Sequence, residues 1–129
     1  MLGRSNVTTI LPVVDVDRAR RFYEEKLGFS QGERTGDGGV LYRTGDGSFE
    51  LSPRKEPTRN PYTAMSFEVR DVVGEVRELE TRGVAFEDYD LPDLKTVDHV
   101  CVLGSDKAAW FKDPEGNVLC VHEGSSSRH

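Results

Sequence analysis

The sequence predicts an α+β fold of two tandem βαβββ units that form a cupped mixed sheet, and three observations support this prediction. The order strand, helix and three strands occurs twice along the 129 residues. Each helix begins at an Asp-Val pair, at positions 15–16 and 71–72. Two apolar runs within residues 107–123 flank a turn containing Pro and Gly, which is typical of a β-hairpin. Each unit leaves one sheet face uncovered by its helix, so we expect a cavity between the two bare faces.

The first unit is predicted at residues 6–53. A β-branched apolar run at residues 7–14 predicts the first strand. Asp15 is suited to cap the following helix, and Gly28 to end it. Three shorter strands are predicted at about residues 29–34, 39–44 and 48–52, with Gly-Asp-Gly turns between them. The apolar residues at helical spacing, which we expect to line the buried side of the helix, include Val16, Phe22 and Tyr23.

The second unit is predicted at residues 62–123, after a charged linker at residues 54–61 that contains two prolines. A strand at residues 62–69 precedes a helix that begins at Asp71, buries Val72, Val76 and Leu79, and ends at Gly83. Further strands are predicted at residues 84–89 and 98–103, and the hairpin completes the unit. The polar segment at residues 89–96 suits a flap or an ordinary surface loop. Residues 124–129 are predicted to form a flexible tail.

Composition excludes several classes of function. The net charge of −6, without a basic stripe interleaved with aromatic residues, argues against nucleic acid as a partner. The apolar runs are far shorter than the roughly 20 residues that a membrane helix needs, so we expect no membrane insertion. The N-terminus lacks a signal-peptide pattern, which predicts a cytoplasmic protein. The two cysteines, Cys101 and Cys120, are too few for a disulfide framework and are expected as reduced thiols.

Two motifs, LPVVDVDRARRFYEEKLGF at residues 11–29 and WFKDPEGNV at residues 110–118, resemble those of the vicinal oxygen chelate superfamily. This superfamily includes glyoxalase I, extradiol dioxygenases and bleomycin-resistance proteins. The resemblance covers about residues 7–123 and implies the glyoxalase/bleomycin resistance fold. It also implies a small-molecule ligand and a homodimer, since such chains commonly pair. The scaffold hosts several chemistries as well as plain binders, so the fold does not choose between them.

The resemblance further implies four positions that metal enzymes of the family fill mostly with His, Glu or Gln. In this sequence they are occupied by Thr8, Glu50, Ala64 and Cys120. Threonine is a poor ligand unless it is deprotonated, alanine has no donor atom, and one carboxylate with one thiol does not close a metal site. We therefore expect no divalent metal and no other cofactor. The alternative is that His122 or His99 supplies a missing ligand.

Three residues are the candidate catalytic groups: Glu50, Cys120 and His122. Strand alternation places Cys120 and His122 on one face, where they form either a coupled pair or a small buried thiol and a rim histidine. A carboxylate facing a cavity is costly unless it meets a partner, so Glu50 is expected to meet a ligand. Its alternative is to reach solvent or to pair with Arg54 or Lys55.

Alternation along the strands also selects the candidate ligand-binding residues. These are Thr8 and Ile10 on the first strand, Ala64, Ser66 and Glu68 on its repeat, and Trp110, which alternates with Phe111. Glu50 and Glu68 as an acid–base pair is a further alternative.

Two functions of different classes stay open. The first is a binding protein that holds a small organic molecule without metal, which the lost ligand positions and the intact scaffold favour. The second is a lyase, isomerase or dioxygenase that uses an atypical metal or the cluster of Glu50, Cys120 and His122. A non-catalytic module that binds another protein is the third possibility.

Overall fold

The computed structural model describes residues 1–123, which form two compact units. The first consists of Met1–Arg59 with Pro114–Gly116, and the second of Asn60–Asp113 with the chain from Asn117 on. Each unit holds one four-stranded mixed sheet and one principal helix, so the predicted α+β class with two βαβββ-like modules is confirmed. The predicted tail at residues 124–129 lies outside the described residues. No helix within residues 1–123 is long and apolar enough to cross a membrane.

The sheet of the first unit follows a 3₁₀ turn at Leu2–Arg4. Its strands are β1 (Thr8–Val13), β2 (Glu33–Arg34), β3 (Val40–Thr44) and β4 (Gly47–Pro53). The spatial order is β1-β4-β3-β2, with β1 parallel to β4 and the other neighbours antiparallel. The first of the three shorter predicted strands is reduced to the two residues of β2.

The helix of the first unit, α1 (Val16–Arg21), continues as a π-helical turn at Phe22–Lys26. Asp15 caps it by accepting a hydrogen bond from the Arg18 amide at 3.0 Å, and Gly28 ends it with φ of 84°. Tyr23 is fully buried, and its ring lies 5.4 Å from Phe49. Because Tyr23 fills this part of the core, Val16 and Phe22 are only half-buried, and their predicted burial was wrong.

The second unit has more strands than predicted. They are β5 (Thr63–Glu68), β6 (Asp90–Leu91), β7 (Leu94–Lys95), β8 (Cys101–Leu103), β9 (Asp106–Lys112) and β10 (Val118–Glu123). The main sheet has the order β5-β10-β9-β8, with β5 parallel to β10, and the predicted β9–β10 hairpin is confirmed. Strands β6 and β7 form a separate small hairpin within the segment that sequence suggested as a flap.

The predicted strand at residues 84–89 was wrong. Strand β8 pairs with β9 only over Asp106–Ala108, and farther along β9 the chain makes a single bridge between Phe86 and Phe111. The Glu87 amide donates to the Trp110 carbonyl at 2.8 Å. These contacts fasten the segment to β9 without extending into a strand.

The helix of the second unit, α2 (Val72–Thr81), has the ends that the sequence predicted. Asp71 accepts from the Gly74 amide at 3.0 Å, and Gly83 follows the helix with φ of 90°. Val72, Val76 and Leu79 are buried, as expected from their spacing. Because α2 packs on β9 and β10, it covers one face of the second sheet and leaves the other without a helix.

Candidate functional site

The helix-free face of the second sheet gathers most of the chemistry-bearing residues that the sequence singled out. The parallel register of β5 and β10 sets Ser66 beside Cys120 and Glu68 beside His122. On the other side of β10, the antiparallel register sets Trp110 beside Cys120. Neighbouring residues in register point to the same side of a sheet, so these five share one face.

His122 is held by Ser66. The Ser66 Oγ lies 2.5 Å from the His122 Nδ1, and both side chains have access to solvent. This contact orients the ring and leaves Nε2 without a hydrogen-bond partner among residues 1–123. Nε2 is a donor when Nδ1 accepts from Ser66, and an acceptor in the opposite tautomer. The pair therefore presents one oriented polar atom to a molecule on this face.

Cys120 lies beside this pair but is only 5% exposed. Its Sγ donates to the Val121 carbonyl at 3.5 Å. Burial raises the pKa of the Cys120 thiol, and the contact with Ser66 opposes that rise only in part. At neutral pH the thiol is therefore protonated and weakly nucleophilic. The bonded partner of His122 is Ser66 and not Cys120.

Aromatic side chains border the same face. Trp110 is partly exposed and its Nε1 donates to Thr63 Oγ1 at 3.1 Å. The Tyr89 ring meets it edge-on at 5.6 Å. Ala64 lies where the register between β5 and β10 shifts, and it is half-buried. An indole held at both its edge and its nitrogen provides a fixed apolar surface for a flat molecule.

In the first unit, Glu50 lies on the helix-free face of its own sheet. The register sets Ile10 on one side of it and Leu41 on the other. Ile10 is 49% exposed, and Thr8 bonds Ser48 between their hydroxyl oxygens at 2.9 Å. Glu50 is half-buried and has no ion-pair partner within 4.0 Å in the described part of the chain.

The alternative partners that the sequence offered to Glu50 are engaged elsewhere or do not reach it. Arg54 donates to Ser52 Oγ at 2.6 Å and to the Pro53 carbonyl at 3.0 Å. Lys55 is exposed and makes no ion pair within residues 1–123. Glu50 is therefore a carboxylate between two apolar side chains without a compensating cation in its unit.

These residues do not fit the divalent metal of the family's enzymes. Ala64 offers no donor atom, Thr8 already bonds Ser48, and the Cys120 thiol is buried and protonated. Among residues 1–123, no cluster of three or more His, Cys, Asp or Glu side chains could hold a metal ion. His99 does not extend the set, because its ring nitrogens face Glu80 and Asp88.

Sequence reasoning missed the Ser66–His122 contact. Alternation placed each residue on the cavity-facing side of its strand. The contact also requires β5 and β10 to be adjacent in the sheet, which depends on parallel pairing between segments far apart in sequence. The repeat was the only signal: it makes β5 and β10 the counterparts of β1 and β4, which form the parallel pair of the first unit.

Comparison with known proteins gives a consistent result. The family model described as "Glyoxalase/Bleomycin resistance protein/Dioxygenase superfamily" matches residues 6–121. A glyoxalase/bleomycin resistance protein from Streptomyces sp. CB03234 is 26% identical, with a TM-score of 0.64 over 92% of this chain and 100% of that one. A lactoylglutathione lyase from Agrobacterium tumefaciens is 22% identical, with a TM-score of 0.64 over 95% and 96% of the two chains. A glyoxalase/bleomycin resistance protein/dioxygenase from Alicyclobacillus acidocaldarius is 19% identical, with a TM-score of 0.70 over 97% and 95%. No curated protein sequence matches.

Proposed function

The chain belongs to the glyoxalase/bleomycin resistance protein/dioxygenase superfamily, and on this premise we propose that it binds a small organic molecule on the helix-free faces of its sheets without a divalent metal. The observation that carries the proposal is the Ser66–His122 contact of 2.5 Å beside the partly exposed Trp110. Sites for small molecules combine apolar walls with a few fixed polar groups, and this face has both. Of the two groups in the pair, His122 Nε2 is the atom that would orient the ligand.

The first sheet supports the same proposal through Glu50. A half-buried carboxylate between Ile10 and Leu41 has lost part of its hydration without gaining a partner. A ligand that brings a hydroxyl, amine or other donor would restore that loss. We therefore assign Thr8, Ile10 and Glu50 to ligand contact in the first unit.

The second sheet supports the proposal through ligand contacts on its own helix-free face. We assign Ser66, His122 and Trp110 to direct contact, with Ala64 and Glu68 beside them on β5. Cys120 is placed under this surface as a buried wall residue, because a protonated thiol that is 5% exposed has little to offer a ligand beyond packing.

A second candidate function, proton transfer on the bound molecule, is favoured by the same contact. A histidine whose Nδ1 is fixed by a hydroxyl has its Nε2 aimed for use as a general acid or base. A lyase or an isomerase that works without metal could use this imidazole for proton transfer, and His122 would be its catalytic residue. A nucleophilic role for Cys120 is disfavoured by the raised pKa of its thiol.

The proposal includes a homodimer in the cytoplasm. The homodimer is supported by the resemblance to a family whose chains commonly pair, and the compartment by two cysteines that are both free thiols. Sedimentation equilibrium at micromolar concentration should give about twice the chain's 14.4 kDa, and a mass near 14.4 kDa would refute the dimer.

The test of the ligand proposal begins with protein purified without chelator. Elemental analysis should find far less than the roughly one metal per chain that a zinc or iron site would hold. A thermal-shift screen of small organic molecules then compares the wild type with Ser66→Ala and His122→Ala. Glu78→Gln, an exposed change on α2, is the matched control. Because a ligand at 100 times its Kd stabilises by about 2.7 kcal/mol, a hit should raise the melting temperature by several degrees.

The outcomes separate the alternatives. Hits that stabilise the wild type and Glu78→Gln, but lose their effect in His122→Ala, support binding on this face. The catalytic candidate is supported if the wild type converts a hit to product, His122→Ala abolishes this turnover and Ser66→Ala slows it. Equal stabilisation of all four proteins refutes the site. The metal-free proposal is refuted if elemental analysis finds about one metal per wild-type chain and Glu50→Ala or His122→Ala loses that metal.

A further inference from the structure

The helix side of the second sheet contains a cavity of about 620 Å³. It arises because the sheet is wider than the single helix that covers it. A helix is about 10 Å in diameter and strands are about 4.8 Å apart, so one helix covers roughly two of four strands. Helix α2 packs on β9 and β10, and the edge strand β8 is left uncovered. The cavity lies along this uncovered edge, on the face opposite the Ser66–His122 pair.

The cavity has a size suited to a small molecule, and its lining is about equally apolar and polar. Ligand sites commonly span about 300–1,000 Å³. Five valines line it: Val73, Val76, Val97, Val100 and Val102. Val97 is 75% exposed and Val102 61% exposed, so apolar surface is open to solvent at the mouth. A ligand with an apolar body would remove this surface from water.

The charged lining favours an anion. Arg77 on α2 and Lys107 on β9 have no ion-pair partner within 4.0 Å in the described part of the chain. The third cation, Lys95, lies 3.7 Å from Asp90. Of the two carboxylates in the lining, Glu80 contacts His99, which leaves Asp98. Two unengaged cations thus face one unengaged carboxylate, although the whole chain carries a net charge of −6.

One wall of the cavity is fixed by a tight turn. Val97 and Val100 exchange backbone hydrogen bonds of 2.8 and 3.0 Å around Asp98 and His99, whose φ angles are 51° and 72°. Hairpin turns of this kind prefer Asn-Gly, and a histidine there is in a strained backbone conformation. His99 is held in place by Glu80 at 3.3 Å from Nε2. Asp88 also lies 3.0 Å from Nδ1, though not aligned for a hydrogen bond. The wall is therefore in place before a ligand arrives.

We propose that this cavity is a second binding site that takes a small organic carboxylate with an apolar chain. The valines would hold the chain, and the Arg77 guanidinium would pair with the carboxylate, which its planar fork matches in two parallel hydrogen bonds. Lys107 adds a second positive charge. The site is separate from the helix-free faces, so it does not depend on the proposed function.

The experiment is a two-dimensional ¹H–¹⁵N NMR titration of the full chain with sodium octanoate, with octylammonium and octanol as matched probes of opposite and zero charge. Octanoate should give saturable shifts at the amides of Val73, Val76 and Val102. Arg77→Gln and Lys107→Gln should each weaken octanoate about tenfold, which corresponds to about 1.4 kcal/mol. Arg70→Gln removes an exposed arginine outside the cavity and should leave the affinity unchanged.

A variant that introduces a negative charge into the lining gives an independent check. Val102→Asp places a carboxylate at an exposed lining position, so the fold should tolerate it, as unchanged amide shifts in α2 would confirm. Octanoate binding should fall more than tenfold in this variant and octylammonium binding should rise. Equal affinities of the wild type for octanoate and octylammonium would overturn the proposal. So would the absence of saturable shifts, shifts confined to the Ser66 and His122 face, or wild-type affinity in both cation variants.

Discussion

Replacing Glu115 by alanine should destabilise the first unit more than any exposed charge change. The Glu115 side chain is 1% exposed and its Oε1 accepts from the amides of Val14 and, at 3.3 Å, Asp15. Its Oε2 accepts from Arg18 Nε at 2.9 Å and Nη2 at 2.5 Å. The carboxylate thus binds the end of β1 and the first turn of α1 together.

The magnitude follows from what each donor loses. A hydrogen bond to a charged group contributes about 1.5–3 kcal/mol when the other partner would be left unsatisfied. The Arg18 side chain is 49% exposed and can return to water, so its ion pair adds no more than about 1 kcal/mol. Val14 and Asp15 are exposed residues whose amides can partly return to water, so each takes the lower end of the range, and the total loss in Glu115→Ala should be about 3–4 kcal/mol. Glu115→Gln keeps a carbonyl acceptor and should lose about half of that.

The assay is urea unfolding followed by far-UV circular dichroism at neutral pH. In a thermal scan of the same proteins, a loss of 3–4 kcal/mol should lower the melting temperature by roughly 10–15 °C for a chain of this size. Glu78→Ala is the matched control, since it breaks a carboxylate–arginine pair at 3.2 Å whose side chains are 60% and 44% exposed. That control should cost about 0.5 kcal/mol or less. If Glu115→Ala destabilised no more than Glu78→Ala, the role assigned to the buried carboxylate would be refuted.

Three further predictions concern other parts of the two units. Burial and the 2.7 Å bond to Glu24 raise the pKa of Tyr42 well above 10. Above pH 10 the unfolded chain therefore loses this proton while the folded chain keeps it, and the free energy of unfolding should fall by up to about 1.4 kcal/mol per pH unit. Denaturation curves of Tyr42→Phe from pH 9 to 11 should lack this component of the pH dependence. Because burial raises the pKa of its thiol, Cys120 should react with iodoacetamide at pH 8 much more slowly in the folded chain than in urea, and equal rates by mass spectrometry would contradict its burial. Asp71→Ala removes the cap on the Gly74 amide and should cost about 1 kcal/mol, while Asp71→Asn should retain most of the stability in the same urea assay.

The parts of the fold that the sequence could predict are those with local causes. Asp15 and Asp71 cap the helices, and Gly28 and Gly83 end them, because caps and positive φ depend on neighbouring residues alone. The β9–β10 hairpin is local as well. Residues 84–89 show the opposite case. Their apolar alternation suits a strand, but pairing depends on a distant strand edge, and their pairing with β9 is limited to the Phe86–Phe111 bridge and the Glu87 amide.

The candidate site was predictable by face and not by contact. Period-two alternation placed Ser66, Cys120 and His122 on the helix-free side, and the register of β5 and β10 agrees with it. His122 could bond either Ser66 or Cys120. The choice depends on the register of the two strands and on the reach of the side chains, and the local sequence determines neither. Burial of Cys120 likewise depends on what packs around β10 from distant parts of the chain.

The position of Glu50 in the first sheet has a consequence for the kind of ligand that the proposed function implies. Within its own unit, Glu50 lies between Ile10 and Leu41 in register and has no ion-pair partner within 4.0 Å among residues 1–123. Under the proposed function, the most favourable partner for this half-buried carboxylate is a donor carried by the ligand itself. Recognition on these faces should consequently select organic molecules with hydroxyl or amino groups, since a purely apolar molecule would bury Glu50 further without satisfying it.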